Sequence, residues 1–170
     1  MKKLILALLI TAGLGACSEE EPGLYTGQQL EFELFKSSEF NYNGTLTVKE
    51  LRDGNLEFGI QLQGAKSSTG ERFPAHLHFG SYDQADTPIA FLLNPIAASS
   101  LESITTLGQL SDGDRLTFDE MRSFDGHVKI HLANEGPDYE VILVAGNVGG
   151  NFNAELGFDP TKLAICGKSF

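Results

Sequence analysis

The stretch Thr45–Gly64, TLTVKELRDGNLEFGIQLQG, reads as two β-strands joined by a turn. In the first half, Leu46, Val48 and, less cleanly, Glu50 fall on one face. In the second, Leu56, Phe58, Ile60 and Leu62 do the same, the period of two expected when one side of a strand meets a core. Asp53-Gly54 between them is a favoured hairpin dipeptide. Other segments repeat the pattern: Gln29–Phe35 (QLEFELF), Phe73–Gly80 (FPAHLHFG), Pro88–Asn94 (PIAFLLN), Asp114–Phe118 (DRLTF), Gly126–Ala133 (GHVKIHLA) and Tyr139–Val148 (YEVILVAGNV). Turn signals recur at roughly the eight-to-twelve-residue spacing of all-β sandwiches and barrels. The expected fold class is therefore all-β, a sandwich or barrel. Asn94–Asp114 (NPIAASSLESITTLGQLSDGD) is the exception, and reads as a long loop or a short helix around Ala97–Ser103.

The N-terminus has another character. MKKLILALLITAGLGAC begins with Lys2 and Lys3, continues as a short apolar run and ends in Leu14-Gly15-Ala16-Cys17. This is the anatomy of an export signal, too short for a stable membrane span. Its ending resembles a bacterial lipobox, which implies cleavage before Cys17 and acylation of that cysteine. Acyl chains contribute about 0.8 kcal/mol per buried CH2, so several on one residue hold a domain on a membrane. The expected organisation is a lipoprotein signal peptide over 1–16, a lipidated Cys17 with a flexible acidic tether over 17–29, and one domain over 30–170. The expected location is the bacterial cell envelope, lipid-anchored at the periplasmic face of the outer membrane or at the cell surface. Loss of Lys2 and Lys3 takes the net charge from −11 to −13. A chain so acidic repels nucleic acid, and no nucleic-acid partner is expected. Acylation of Cys17 would leave Cys166 with no cysteine to pair with, and nothing in the sequence sets an oligomeric state.

All four histidines lie in two strand-like patches, His76 and His78 in the first and His127 and His131 in the second. Alternation places His76 and His78 on one side of their strand, opposite Leu77 and Phe79. It places His127, Lys129 and His131 together, opposite Val128, Ile130 and Leu132. On neighbouring strands, the two patches would bring three or four imidazoles to one ion. A nitrogen set without thiolate or thioether suits Cu or Zn. On an exposed strand edge, the same residues would be solvated surface. Ligand imidazoles must be neutral, so ordinary histidines would lose the ion below about pH 6.

FPAHLHFG, preceded by GNLEFGIQLQG, resembles the strand bearing the paired copper histidines of copper/zinc superoxide dismutases. It also resembles the A-H-x-H-x-G strand of the related CHRD domains. GHVKIHL, followed by ILVAGNVGGN, is similar to the late strand and glycine-rich segment of those proteins. The resemblance spans about Leu30 to Asn151. It implies an all-β Greek-key β-sandwich or flattened barrel, with His76 and His78 as paired ligands and His131 as the late ligand; His127 could add a fourth nitrogen outside the family pattern. No histidine lies between Phe79 and Gly126, so the bridging imidazole and the second, zinc site of the dismutases are not expected. The guide arginine beyond the glycine-rich segment and the family's disulfide have no counterparts either. The CHRD domains are thus the nearer comparison, and no catalytic residue is assigned.

No G-x-S-x-G elbow, P-loop, C-x-x-C pair or H-E-x-x-H helix occurs. The acidic turns around Asp83 and Asp112 lack the spacing of a calcium loop. The expected function is a membrane-anchored lipoprotein that binds one Cu or Zn ion, for buffering or for delivery to an envelope partner that exchanges the metal. The alternatives are a non-catalytic interaction module with incidental histidines and a copper-only dismutase-like enzyme. Fast superoxide turnover is not expected at this charge without a local cation patch. Replacing Cys17 by Ser should release the domain from membranes or leave the precursor uncleaved. Mass spectrometry of the mature chain checks this, and an unmodified chain starting elsewhere would contradict it.

Overall fold

The computed structural model describes residues 23–152 and 157–165, so Cys17, the export signal and Cys166 lie outside the described residues. Its elements are β1 (Tyr25–Lys36), β2 (Asn43–Leu51), β3 (Leu56–Gln63), β4 (Arg72–Phe79), β5 (Ile89–Ala97), β6 (Glu102–Thr106), α1 (Phe118–Ser123), β7 (Asp125–His131) and β8 (Ile142–Gly149). The eight strands form a closed antiparallel barrel in the order β1-β2-β3-β6-β5-β4-β7-β8. Two crossovers, β3 beside β6 and β4 beside β7, bring together strands distant in sequence. The expectation of an all-β flattened barrel holds.

Strand alternation drives this closure. Leu46, Val48, Leu56, Phe58, Ile60 and Leu62 are all buried, and they join Leu77, Val128, Ile130 and Val144 in one core. The β2–β3 hairpin forms as read, but with a three-residue loop. Gly54 N donates to Leu51 O at 2.9 Å, and Leu51 N donates to Asn55 O at 2.9 Å. Gly54 takes the left-handed position at φ 82°, which favours glycine there.

Several expectations are corrected. Glu50 does not continue the buried face of β2; its carboxylate accepts from Thr26 Oγ1 at 2.7 Å and Gln28 Nε2 at 2.8 Å, while Leu51 is buried. The tether also ends earlier than expected, because β1 begins at Tyr25, paired with Leu51. Ala97–Ser103 contains no helix. The chain turns through Ala98–Leu101 and enters β6, so the long loop expected from Asn94 is largely strand and turn. DRLTF is no strand. Thr117 caps α1 instead, accepting from Glu120 N, while the Glu120 side chain accepts from Thr117 N. That reciprocal pair is a capping box, and its T-x-x-E signature stands in the sequence.

Barrel closure depends on close approach of β8 to β1, which pair through Phe35↔Ala145 and Lys36↔Val144. A Cβ at Gly146 would lie 2.4 Å from Glu33 O and 3.2 Å from a Leu34 methyl. The nearer atom is backbone, so the strands must part. Gly146→Ala is expected to destabilise the fold by about 1–3 kcal/mol, the cost of overpacking. Urea denaturation measures it, and an unchanged midpoint would show that β8 and β1 can separate without loss.

Candidate metal centre

The β4–β7 pairing builds the site. In register, His76 faces Lys129 and His78 faces His127. Leu77, Val128 and Ile130 point into the core, which turns His76, His78, His127, Lys129 and His131 to the outside of the barrel. This outer face is nevertheless closed. His76 is 5% exposed, and the other four residues are 0–1% exposed. The reading as solvated surface is excluded.

Two connections cover the patch with carbonyls that accept histidine N–H groups, β4–β5 through Gly80 and Thr87 and β7–β8 through Tyr139. His78 Nδ1 lies 3.2 Å from Thr87 O, and His127 Nδ1 lies 2.7 Å from Gly80 O. His131 Nδ1 is 2.6 Å from Tyr139 O, with the Tyr139 ring stacked on the imidazole at 4.4 Å and 9°. Lys129 reaches past the histidines, and its Nζ donates to Ala164 O at 2.7 Å. Ala164 N in turn donates to Tyr82 O at 3.1 Å. The segment 157–165 is thereby tied over the site.

These bonds determine tautomers. A carbonyl only accepts, so Nδ1 carries the proton in His78 and His131, and the ring lone pair is on Nε2. His76 is the reverse case, because its Nδ1 is buried with no hydrogen-bond partner. Its ring lies 4.9 Å from that of His131 and 5.8 Å from that of His78. A buried nitrogen without a partner is costly unless something else satisfies it. One ligand nitrogen from each of His76, His78 and His131 lies within 4.8 Å of the other two, close enough for a single metal ion. Metal–nitrogen bonds of about 2.0–2.1 Å require roughly 3.3–3.6 Å between ligand nitrogens, so about 1 Å of side-chain movement closes the set.

His127 stands beside this group rather than in it. Its ring stacks on His78 at 4.8 Å and 9°, and its Nε2 is buried without a hydrogen-bond partner. Among the described residues no other cluster of histidine, cysteine or carboxylate has ligand spacing. In the acidic turn, Asp112 Oδ1 accepts from Asp114 N at 3.0 Å.

The imidazoles are held neutral. Burial chiefly lowers His76 to about 3, helped by the charges of His131, His78 and Lys129. Burial likewise lowers His78 to about 3, with His127 and Lys129 adding to it against the Thr87 carbonyl. His127 falls to about 4 through burial, opposed by the Gly80 carbonyl. His131 is lowered by burial against the pull of the Tyr139 carbonyl. Burial thus favours the neutral, ligating form in all four rings, and holds His76, His78 and His127 neutral below pH 6.

Sequence reasoning found the four histidines and missed what covers them. Tyr139, Thr87 and the segment 157–165 carry no ligand signal of their own; only Gly136-Pro137 marks the turn that brings Tyr139 back. Compared with protein-family models, curated proteins and solved structures, the chain gives no match.

The depressed values have a consequence for the metal-free domain. Between pH 6.5 and about 4 the unfolded chain binds protons that the folded one refuses, so stability falls as pH falls. Each histidine contributes up to about 1.4 kcal/mol per pH unit. Urea midpoints should therefore drop between pH 6.5 and 5, above the range where carboxylates titrate. Replacing His78 by Gln should flatten the slope. A midpoint constant over that window would mean that the imidazoles are not buried and neutral.

Proposed function

We propose that this protein is a lipid-anchored lipoprotein of the bacterial envelope whose barrel holds one copper or zinc ion. The ligands are His76 Nδ1, His78 Nε2 and His131 Nε2. The observation that carries the reading is the buried, unpartnered Nδ1 of His76, a member of the three-imidazole group whose ligand nitrogens lie within 4.8 Å of one another. The chemistry of the donors agrees, since three imidazoles without thiolate suit Cu or Zn. The adjacency of β4 and β7 also supports the CHRD and dismutase resemblance, in which the same two strands supply the ligands.

Each residue has a stated part. Thr87 O and Tyr139 O fix the tautomers of His78 and His131, while Tyr139 and the tied segment 157–165 exclude water. His127 braces His78 through ring stacking. A bound ion would supply Lewis acidity and, if copper, a one-electron centre. Catalysis is not part of this reading, because no described residue is placed as a general acid or base and the net charge opposes anions. Storage of the ion, or its transfer to an envelope partner, fits a closed and preorganised site.

Metal analysis of the mature domain should give one equivalent of Cu or Zn per chain. His78→Ala should weaken binding at least 100-fold in calorimetry. His127→Ala should cost less than about tenfold, the lower end for residues that orient a ligand. A wild-type domain that takes up neither metal would refute this function and leave the interaction-module alternative.

A further inference from the structure

The hydrogen bonds of the three ligand histidines are not equivalent. With its Nδ1 lone pair turned to the ion, a neutral His76 must carry its proton on Nε2. His78 and His131 direct their N–H groups to Thr87 O and Tyr139 O. The Nε2 edge of His76 has no acceptor among the described residues, although a metal-bound imidazole nearly always donates its second N–H to one. His76 lines a cavity of about 530 Å³, a volume typical of small-molecule sites.

The lining of the cavity fits an acceptor of negative charge. Arg72, Pro74 and His76 lie on one face of β4 at the strand period, and Arg72 and Asn134 stand at the rim. Arg72 is exposed and forms no ion pair among the described residues, where the recorded pairs are Arg122–Asp119 and Lys162–Asp159. Leu92 pairs with His76 across β4–β5 and is 61% exposed, one of few large apolar side chains left open to solvent. With Pro74 and Pro95 it forms an apolar wall. Arg72 and His76 are separated by roughly 13 Å along the strand, and their side chains shorten that gap.

We propose that this cavity binds a small organic dicarboxylate. One carboxylate accepts from His76 Nε2–H, the other pairs with Arg72, and the methylenes lie against Pro74 and Leu92. The proposal rests on His76 being a metal ligand through Nδ1. A carboxylate on the distal nitrogen makes that imidazole a stronger donor to the ion, so the two sites are coupled, and each ligand must raise the affinity of the other by the same factor. The chain's charge of −11 repels anions in general, so selective capture has to come from these local donors.

The test titrates succinate into the zinc-loaded mature chain at constant ionic strength, with sodium chloride as the matched control. One saturable site is expected, weakened at least tenfold by Arg72→Gln. At a succinate concentration that saturates wild type, zinc binding should tighten by about three- to tenfold in wild type, after correction for zinc–succinate complexes, and by less in Arg72→Gln. Acetate should bind more weakly than succinate. No saturable binding beyond the chloride control, or equal binding by Arg72→Gln, overturns the proposal. If zinc itself fails to bind, the metal reading has failed separately. Ligand-observed NMR of succinate with the metal-free chain then decides the cavity: binding lost in Arg72→Gln retains it as a carboxylate site, and no binding removes it.

Discussion

Everything distinctive in this protein follows from the pairing of β4 with β7. These strands lie about fifty residues apart in the chain, and the crossovers of the barrel make them neighbours. Their inner faces supply Leu77, Val128 and Ile130 to the core, so the register cannot slip by one residue without turning that apolar set outward. The same constraint fixes the other face, where it sets His78 against His127 and places His76 diagonal to His131. The core therefore holds the histidines in position, although none of them belongs to it.

Covering that outer face determines its chemistry. An imidazole on an open sheet titrates near 6.5 and competes with protons for any metal. Here the carbonyls of Thr87, Gly80 and Tyr139 and the segment bonded to Lys129 close over the patch, and desolvation keeps the rings neutral. The cost is borne by folding, since an acidic medium favours the unfolded chain. A bound ion would offset that cost by satisfying His76 Nδ1, and affinity for the ion is then linked to stability of the fold.

Much of this was legible in the residues. Leu56, Phe58, Ile60 and Leu62 declare a strand by period alone, and the same rule correctly put His76 and His78 on one face. Other features depend on partners that local pattern does not name. Glu50 leaves the buried face because Thr26 and Gln28 bind its carboxylate across β1, which the sequence of β2 cannot reveal. DRLTF has strand-like alternation, yet Thr117 and Glu120 make a capping box that wins locally. The depth of the histidines was beyond reach for a similar reason. It is set by Tyr139 and Ala164, whose approach depends on tertiary closure, and no spacing rule distinguishes a covered strand face from a wet one.

The most direct test of the account is the protonation of the four imidazoles in the metal-free domain, read by long-range ¹H–¹⁵N correlation NMR across pH 7.5 to 4.5. The account predicts neutral rings through pH 5.5, with the proton on Nδ1 in His78, His127 and His131 and on Nε2 in His76, and a shift of ¹⁵N resonances on zinc addition confined to the opposite nitrogens of His76, His78 and His131. Rings that titrate together near pH 6.5 with averaged tautomers would show an open, solvated patch, and the claim of a preformed metal centre would fall.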